Sequence, residues 1–208
     1  MPPKRAKSAS GLSDILDKDN FYDDPQEELR KKGIYYITGT IEEDSLLHIH
    51  QDLILKHQDP KWKDDVQIII NSLGGDVGEG WALVDLINFV KMDVRTIGMG
   101  YCQSLGALLL SAGSPGKRIA AKNLAVMIHG MQTATDYGDK SQLVAQVKYV
   151  IQEHERDIRF WIEHSKYTTR RQVEKFFLNG HDNHFNADQS LKHGIVDFIQ
   201  GSNKISEE

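Results

Sequence analysis

Ile68-Ile69-Ile70-Asn71-Ser72-Leu73-Gly74-Gly75-Asp76 is a β-branched run that feeds a paired-glycine turn. Side chains branched at Cβ fill a buried pleated surface well, and two glycines open backbone conformations that other residues avoid. Beyond the turn, Trp81, Val84, Leu86, Ile87 and Val90 recur at helical spacing and predict a helix from about 78 to 90. Upstream, residues 34–38 predict a buried strand. Leu46, Ile49, Leu53 and Leu55 then predict a helix within 41–57, with Asp44 or Ser45 in its cap region. Further strands are predicted at 66–71, 94–98, 118–120 and 125–128, and a buried, almost wholly apolar helix at 105–112. Strands alternating with helices define an α/β domain with mainly parallel pairing.

The later part reads differently. Residues 139–165 predict one long helix with Leu143, Val147, Val150, Ile151, Ile158, Trp161 and Ile162 on a stripe. It exceeds what one small sheet needs for cover, so part of it is expected to project and meet another subunit. A helix at 168–178 follows, and 191–199 closes the fold with a short strand after Gly194. Residues 1–12 read as an aperiodic basic tail, and 13–31 as either a helical turn or a loop. The organisation is an N-terminal segment 1–30, a domain 31–200 and a tail 201–208.

Composition narrows the function. The 208 residues carry a net charge of −5, which gives no electrostatic reason to expect nucleic acid. One cysteine, Cys102, excludes an internal disulfide framework and fits a reducing compartment. No apolar run suits a signal peptide or a membrane span, so a cytoplasmic protein without a membrane partner is expected. No G-x-x-x-x-G-K-[ST] occurs, so any ATP is used by another chain and no cofactor is expected here. His181 and His184 are weak grounds for a metal, and none is expected.

The chemistry lies in three patterns. Ser104 stands in Gly100-Tyr101-Cys102-Gln103-Ser104-Leu105-Gly106-Ala107, a glycine-flanked turn entering the apolar helix. His129 ends Val126-Met127-Ile128-His129, and Asp182 opens Asp182-Asn183-His184-Phe185-Asn186-Ala187. A serine hydroxyl needs a base to take its proton, and the base needs an acid to hold its tautomer. Ser104, His129 and Asp182 supply those types, which points to a serine hydrolase. The G-x-S-x-G elbow is absent because Cys102 stands two before Ser104, and the Ser-His-Asp order differs from chymotrypsin and subtilisin.

Asn71-Ser72-x-Gly74-Gly75, Gly100-x3-Ser104-x-Gly106-Ala107, Met127-Ile128-His129 and Asp182-x-x-Phe185-x-Ala187 with Gly194-Ile195-Val196-Asp197 occur in sequence. Together they resemble the proteolytic subunit of Clp protease over about residues 30–200. The resemblance implies a crotonase-like spiral of βαβ units with the long helix as a projecting handle. It implies Ser104 as nucleophile, His129 as base, Asp182 as orienting acid, and the amides of Gly75 and Leu105 as oxyanion hole. It also implies a homo-oligomer, either a heptamer or a stacked tetradecamer, that cleaves unfolded polypeptides fed by an AAA+ unfoldase. This chain departs from the family pattern at Leu73 (usually proline), at Cys102-Gln103 (usually small), at Gly130-Met131 (usually Gln-Pro), and along Gln132-Thr133-Ala134-Thr135. A catalytically silent ring subunit and a crotonase-fold acyl-CoA enzyme are the competing readings. A related membrane-bound signal-peptide peptidase would need a lysine base and an anchor.

Overall fold

The computed structural model describes residues 25–132 and 139–201. The basic tail, positions 133–135 of the departure at 132–135, and the tail from 202 onward lie outside the described residues. Helix α1 is Pro25–Lys31, in the stretch the sequence left open between helix and loop. The chain continues through β1 (Ile34–Ile41), α2 (Leu47–Gln58), β2 (Val66–Gly75), α3 (Val77–Phe89), β3 (Val94–Gln103) and α4 (Leu105–Ser111). It ends with β4 (Arg118–Ala120), β5 (Ala125–Ile128), α5 (Lys140–His164), α6 (Arg170–Phe176), β6 (Asn183–Asn186), α7 (Ala187–His193) and β7 (Phe198–Ile199).

The strands form one sheet, ordered β1-β2-β3-β4-β7 along its main path, with every pair there parallel. β2 shows why its sequence makes a central strand: Val66, Ile68, Ile70 and Ser72 alternate into the core. β3 forks the sheet. Thr96 to Gly98 pair with β4, while Tyr101 to Gln103 pair with β5. Gly100 lies between the two halves at φ +61°, and β5 in turn carries β6 antiparallel. Every residue of α4 is buried, as its apolar composition requires.

Three details differ from the sequence reading. Leu46 is the N-cap of α2 and makes no side-chain cap bond; Asp44 instead sits at φ +61°, and Ser45 Oγ accepts from the Glu42 amide at 3.2 Å. Leu55 is 64% exposed, so the buried face of α2 is Leu46, Ile49 and Leu53. β6 and α7 were missed, because four residues without alternation and a single polar turn carry almost no periodic signal.

Helix α5 begins with a capping box, in which Asp139 accepts from the Ser141 and Gln142 amides while Gln142 Oε1 accepts from the Asp139 amide. Its first half leaves the core: Val147 is 51% and Ile151 55% exposed, whereas Ile158, Phe160 and Trp161 are buried. The far end of the sheet is locked by Arg118 and Asp197. Arg118 donates Nε and Nη2 to the Asp197 carboxylate at 3.0 and 2.5 Å, and its Nη1 to the His164 carbonyl at 2.6 Å. Burial raises the Asp197 pKa, but the Arg118 side chain and amide outweigh it and hold the carboxyl below its usual range. A depressed pKa stabilises the fold above the unfolded value of about 4, and that contribution is lost as pH falls through the folded value. Asp197→Ala is expected to cost about 3 kcal/mol in urea melts at pH 7 by stranding the guanidinium. The deficit should shrink below pH 4; a loss independent of pH would remove the pair from the account.

Candidate active site

Ser104 is the junction between β3 and α4. Its backbone takes φ 51°, ψ −120°, a region rarely occupied by residues with a side chain. The position is held from both sides: the Ser104 amide donates to Met127 O at 2.8 Å, and its carbonyl accepts from the amides of Ala107 and Leu108. The free N–H groups of the first helical turn therefore start just past the serine.

The glycine turn closes against this junction. Gly74 has φ +94°, and a Cβ there would stand 2.9 Å from both Ser104 Cβ and Gln103 O. At Gly75 a Cβ would fall 1.9 Å from Ile41 O, so only glycine fits. Asn71 and Ser72, quoted above only as part of a motif, have definite work. Asn71 Oδ1 accepts from the Tyr101 amide at 3.0 Å, and Ser72 Oγ donates to Gly39 O at 2.6 Å while accepting from the Gly74 amide at 3.1 Å. The turn is thus tied to β1 and β3 without the proline that Leu73 replaces.

Sheet register brings the other two residues in. Gln103 pairs with Met127, so His129 lies just beyond the end of β5 beside Ser104. Ile128 pairs with Asn183, so Asp182 follows as the neighbour of His129 across β6. The Asn183 side chain fixes that start, donating Nδ2 to Phe177 O at 3.0 Å and His181 O at 2.8 Å. Ser104, His129, Gly75 and Leu105 share one cavity of about 290 Å³. Asp182 is exposed and does not line it. His129 Nδ1 is shut off from solvent and has no hydrogen-bond partner, and no hydrogen bond joins Ser104 to His129 among the described residues. Strand register sets His129 next to Ser104 and to Asp182, but no hydrogen bond links the three among the described residues.

Helix α5 adds Glu153, Asp157 and Trp161, one helical turn apart, to the lining of the same cavity. The sequence reading missed both acids, although acids at this spacing beside an apolar stripe were a usable signal. Cys102, considered above for its nearness to Ser104, is fully buried, donates its thiol to Ile70 O at 3.3 Å, and has its pKa pushed up to about 12 by burial. It is unreactive. His48 and His50 are half-buried, and burial lowers the pKa of each. Among the described residues no group of three or more His, Cys, Asp or Glu is arranged to hold a metal, and no helix is long and apolar enough to cross a membrane.

A forked parallel sheet with a strained serine at the head of a buried helix defines an α/β protein with a hydrolase-like cleft. The Clp protease family model matches residues 17–203, and the chain belongs to that family of peptidases. Its mixed α/β architecture, with a mostly parallel sheet and seven helices among the described residues, is that of the ClpP fold.

The strain at Ser104 has a measurable consequence. Glycine tolerates this backbone and alanine does not, so Ser104→Gly should be more stable than Ser104→Ala by about 1 kcal/mol. Chemical denaturation of the two variants checks this. The opposite order, which ordinary helix propensity favours, would mean that the serine backbone relaxes in solution.

Proposed function

We propose that this chain is a serine endopeptidase of the Clp type, in which Ser104 attacks the peptide carbonyl, His129 moves the proton and Asp182 orients the imidazole. The strained Ser104 backbone carries this reading, because costly conformations persist where surrounding contacts enforce them and they cluster at active sites. The attacking hydroxyl would lose its proton to His129, which returns it to the leaving amine. The first-turn amide of Leu105 and the amide of Gly75 are suited to the developing oxyanion, and such donors are worth roughly 3 kcal/mol each. The unpaired His129 Nδ1 supports Asp182 as the third member. A buried unpaired polar atom costs about 1–3 kcal/mol, and the neighbouring carboxylate is the group whose rotation would remove that cost.

The lack of a hydrogen bond linking Ser104, His129 and Asp182 among the described residues also favours a second reading, a ring subunit that scaffolds active partners without cleaving. A fluorophosphonate probe separates the two. Labelling at Ser104 that is lost in both Ser104→Ala and His129→Ala supports the peptidase, and an unlabelled assembled sample supports the scaffold. For peptide cleavage, the double variant is expected to lose little more than either single variant, since members of one relay fail together. Additive losses would separate the two residues.

Clp proteases generally form oligomeric rings that work with unfoldases, and the exposed stripe on α5 suits a ring contact. Val147→Lys or Ile151→Lys is expected to shift native mass spectra toward smaller species. A fully active wild-type monomer at micromolar concentration would defeat the ring reading. ATP would be used by the partner unfoldase, in the cytoplasm, and unfolded polypeptides are the proposed substrates.

A further inference from the structure

The cavity beside Ser104 is lined mostly by apolar side chains but carries two acids, Glu153 and Asp157, that take no part in the proposed proton relay. Trp81, Leu105, Leu108 and Trp161 give it apolar walls, while Glu153 and Asp157 project from one face of α5. Glu153 is only 3% exposed. One of its oxygens, Oε1, forms an ion pair with Arg156 Nη2 at 2.9 Å, and the other, Oε2, is buried with no hydrogen-bond partner. Arg156 is itself held over the Trp81 ring at 5.1 Å, and it offsets one negative charge of the two. Two acids four apart on one helix repel each other, and burying them adds to that cost. Burial and the neighbouring Glu153 carry Asp157 up to about 7, with Arg156 opposing the rise. Arg156 balances one of the two acids, and Glu153 Oε2 remains without a hydrogen-bond partner at this largely apolar cavity. At about 290 Å³ it lies at the lower edge of ligand cavities and suits one long side chain.

We propose that this cavity receives the side chain on the acyl side of the scissile bond and selects lysine or arginine there, through Glu153 Oε2 and Asp157. The aliphatic stem would lie along Trp81 and Trp161 and the cationic head would meet the carboxylates, the division of labour that long basic side chains allow. Charge-assisted hydrogen bonds to a buried carboxylate are roughly twice as strong as neutral ones. An uncharged side chain of equal length leaves Glu153 Oε2 unpaired, so discrimination by charge is strong. The proposal rests on the peptidase reading of Ser104.

The test is a set of fluorogenic peptides identical except at the residue before the cleaved bond: lysine, arginine, norleucine, leucine or glutamate. With the wild-type full-length chain, kcat/KM for lysine or arginine is expected to exceed that for norleucine at least tenfold, and glutamate to be cleaved least. Glu153→Gln with Asp157→Asn is expected to reduce the lysine-to-norleucine ratio at least tenfold. The wild-type profile needs no variant to fold: norleucine or leucine cleaved as fast as lysine overturns the inference. Fluorophosphonate labelling in parallel distinguishes the two failures. Labelled Ser104 with an apolar preference sinks the pocket assignment alone, whereas no labelling and no cleavage sinks the peptidase reading and this inference with it.

Discussion

Backbone pairing along β5 is the constraint on which the rest depends. This strand of four residues is bonded on one side to the second half of β3 and on the other to β6. Ser104, His129 and Asp182 are far apart in sequence, and each lies at a strand end that this ladder brings to the same edge. A slip of one residue would turn every side chain of β5 to the opposite face. Val126 and Ile128, both buried, oppose such a slip. The Ser104 amide bonded to Met127 O extends the ladder into the strained junction itself.

An aromatic block supports that edge from below. Trp81 meets Phe160 edge-on at 5.6 Å, Phe160 meets Trp161, Trp161 meets Phe177 at 4.7 Å, and Phe177 meets Phe185 of β6. Such pairs contribute roughly 0.5–1.5 kcal/mol each beyond their burial. They connect the base of α5 to β6, the strand that follows Asp182. A contact that shifts α5 therefore has a packed route to β6, because a dense core moves in discrete rearrangements and not by continuous yielding.

The cavity shows how one helix serves two ends. The outer half of α5 presents Val147 and Ile151 to solvent, and its inner half presents Glu153, Asp157 and Trp161 to the cleft. Leu73, Gly130 and Met131, which depart from the family pattern, thus line the same space as Glu153 and Asp157.

Much of this was legible in the chain alone. The βαβ alternation, the buried α4 and the long α5 follow from hydrophobic periodicity, a local property. The Ser, His and Asp types were legible because each stands in a glycine- or strand-bounded motif. The caps were less so: Asp139 caps α5, but the start of α2 has no capping side chain, since Leu46 gains more from burial than a polar cap would offer. What only tertiary structure decided is non-local. The fork of β3 at Gly100, the antiparallel placement of β6 and the pairing of Arg118 with Asp197 join residues with no shared periodicity. The same holds for the unpaired atoms. Sequence places an acid at 153 and a histidine at 129, but only packing shuts Glu153 Oε2 and His129 Nδ1 away from water and leaves each without a partner.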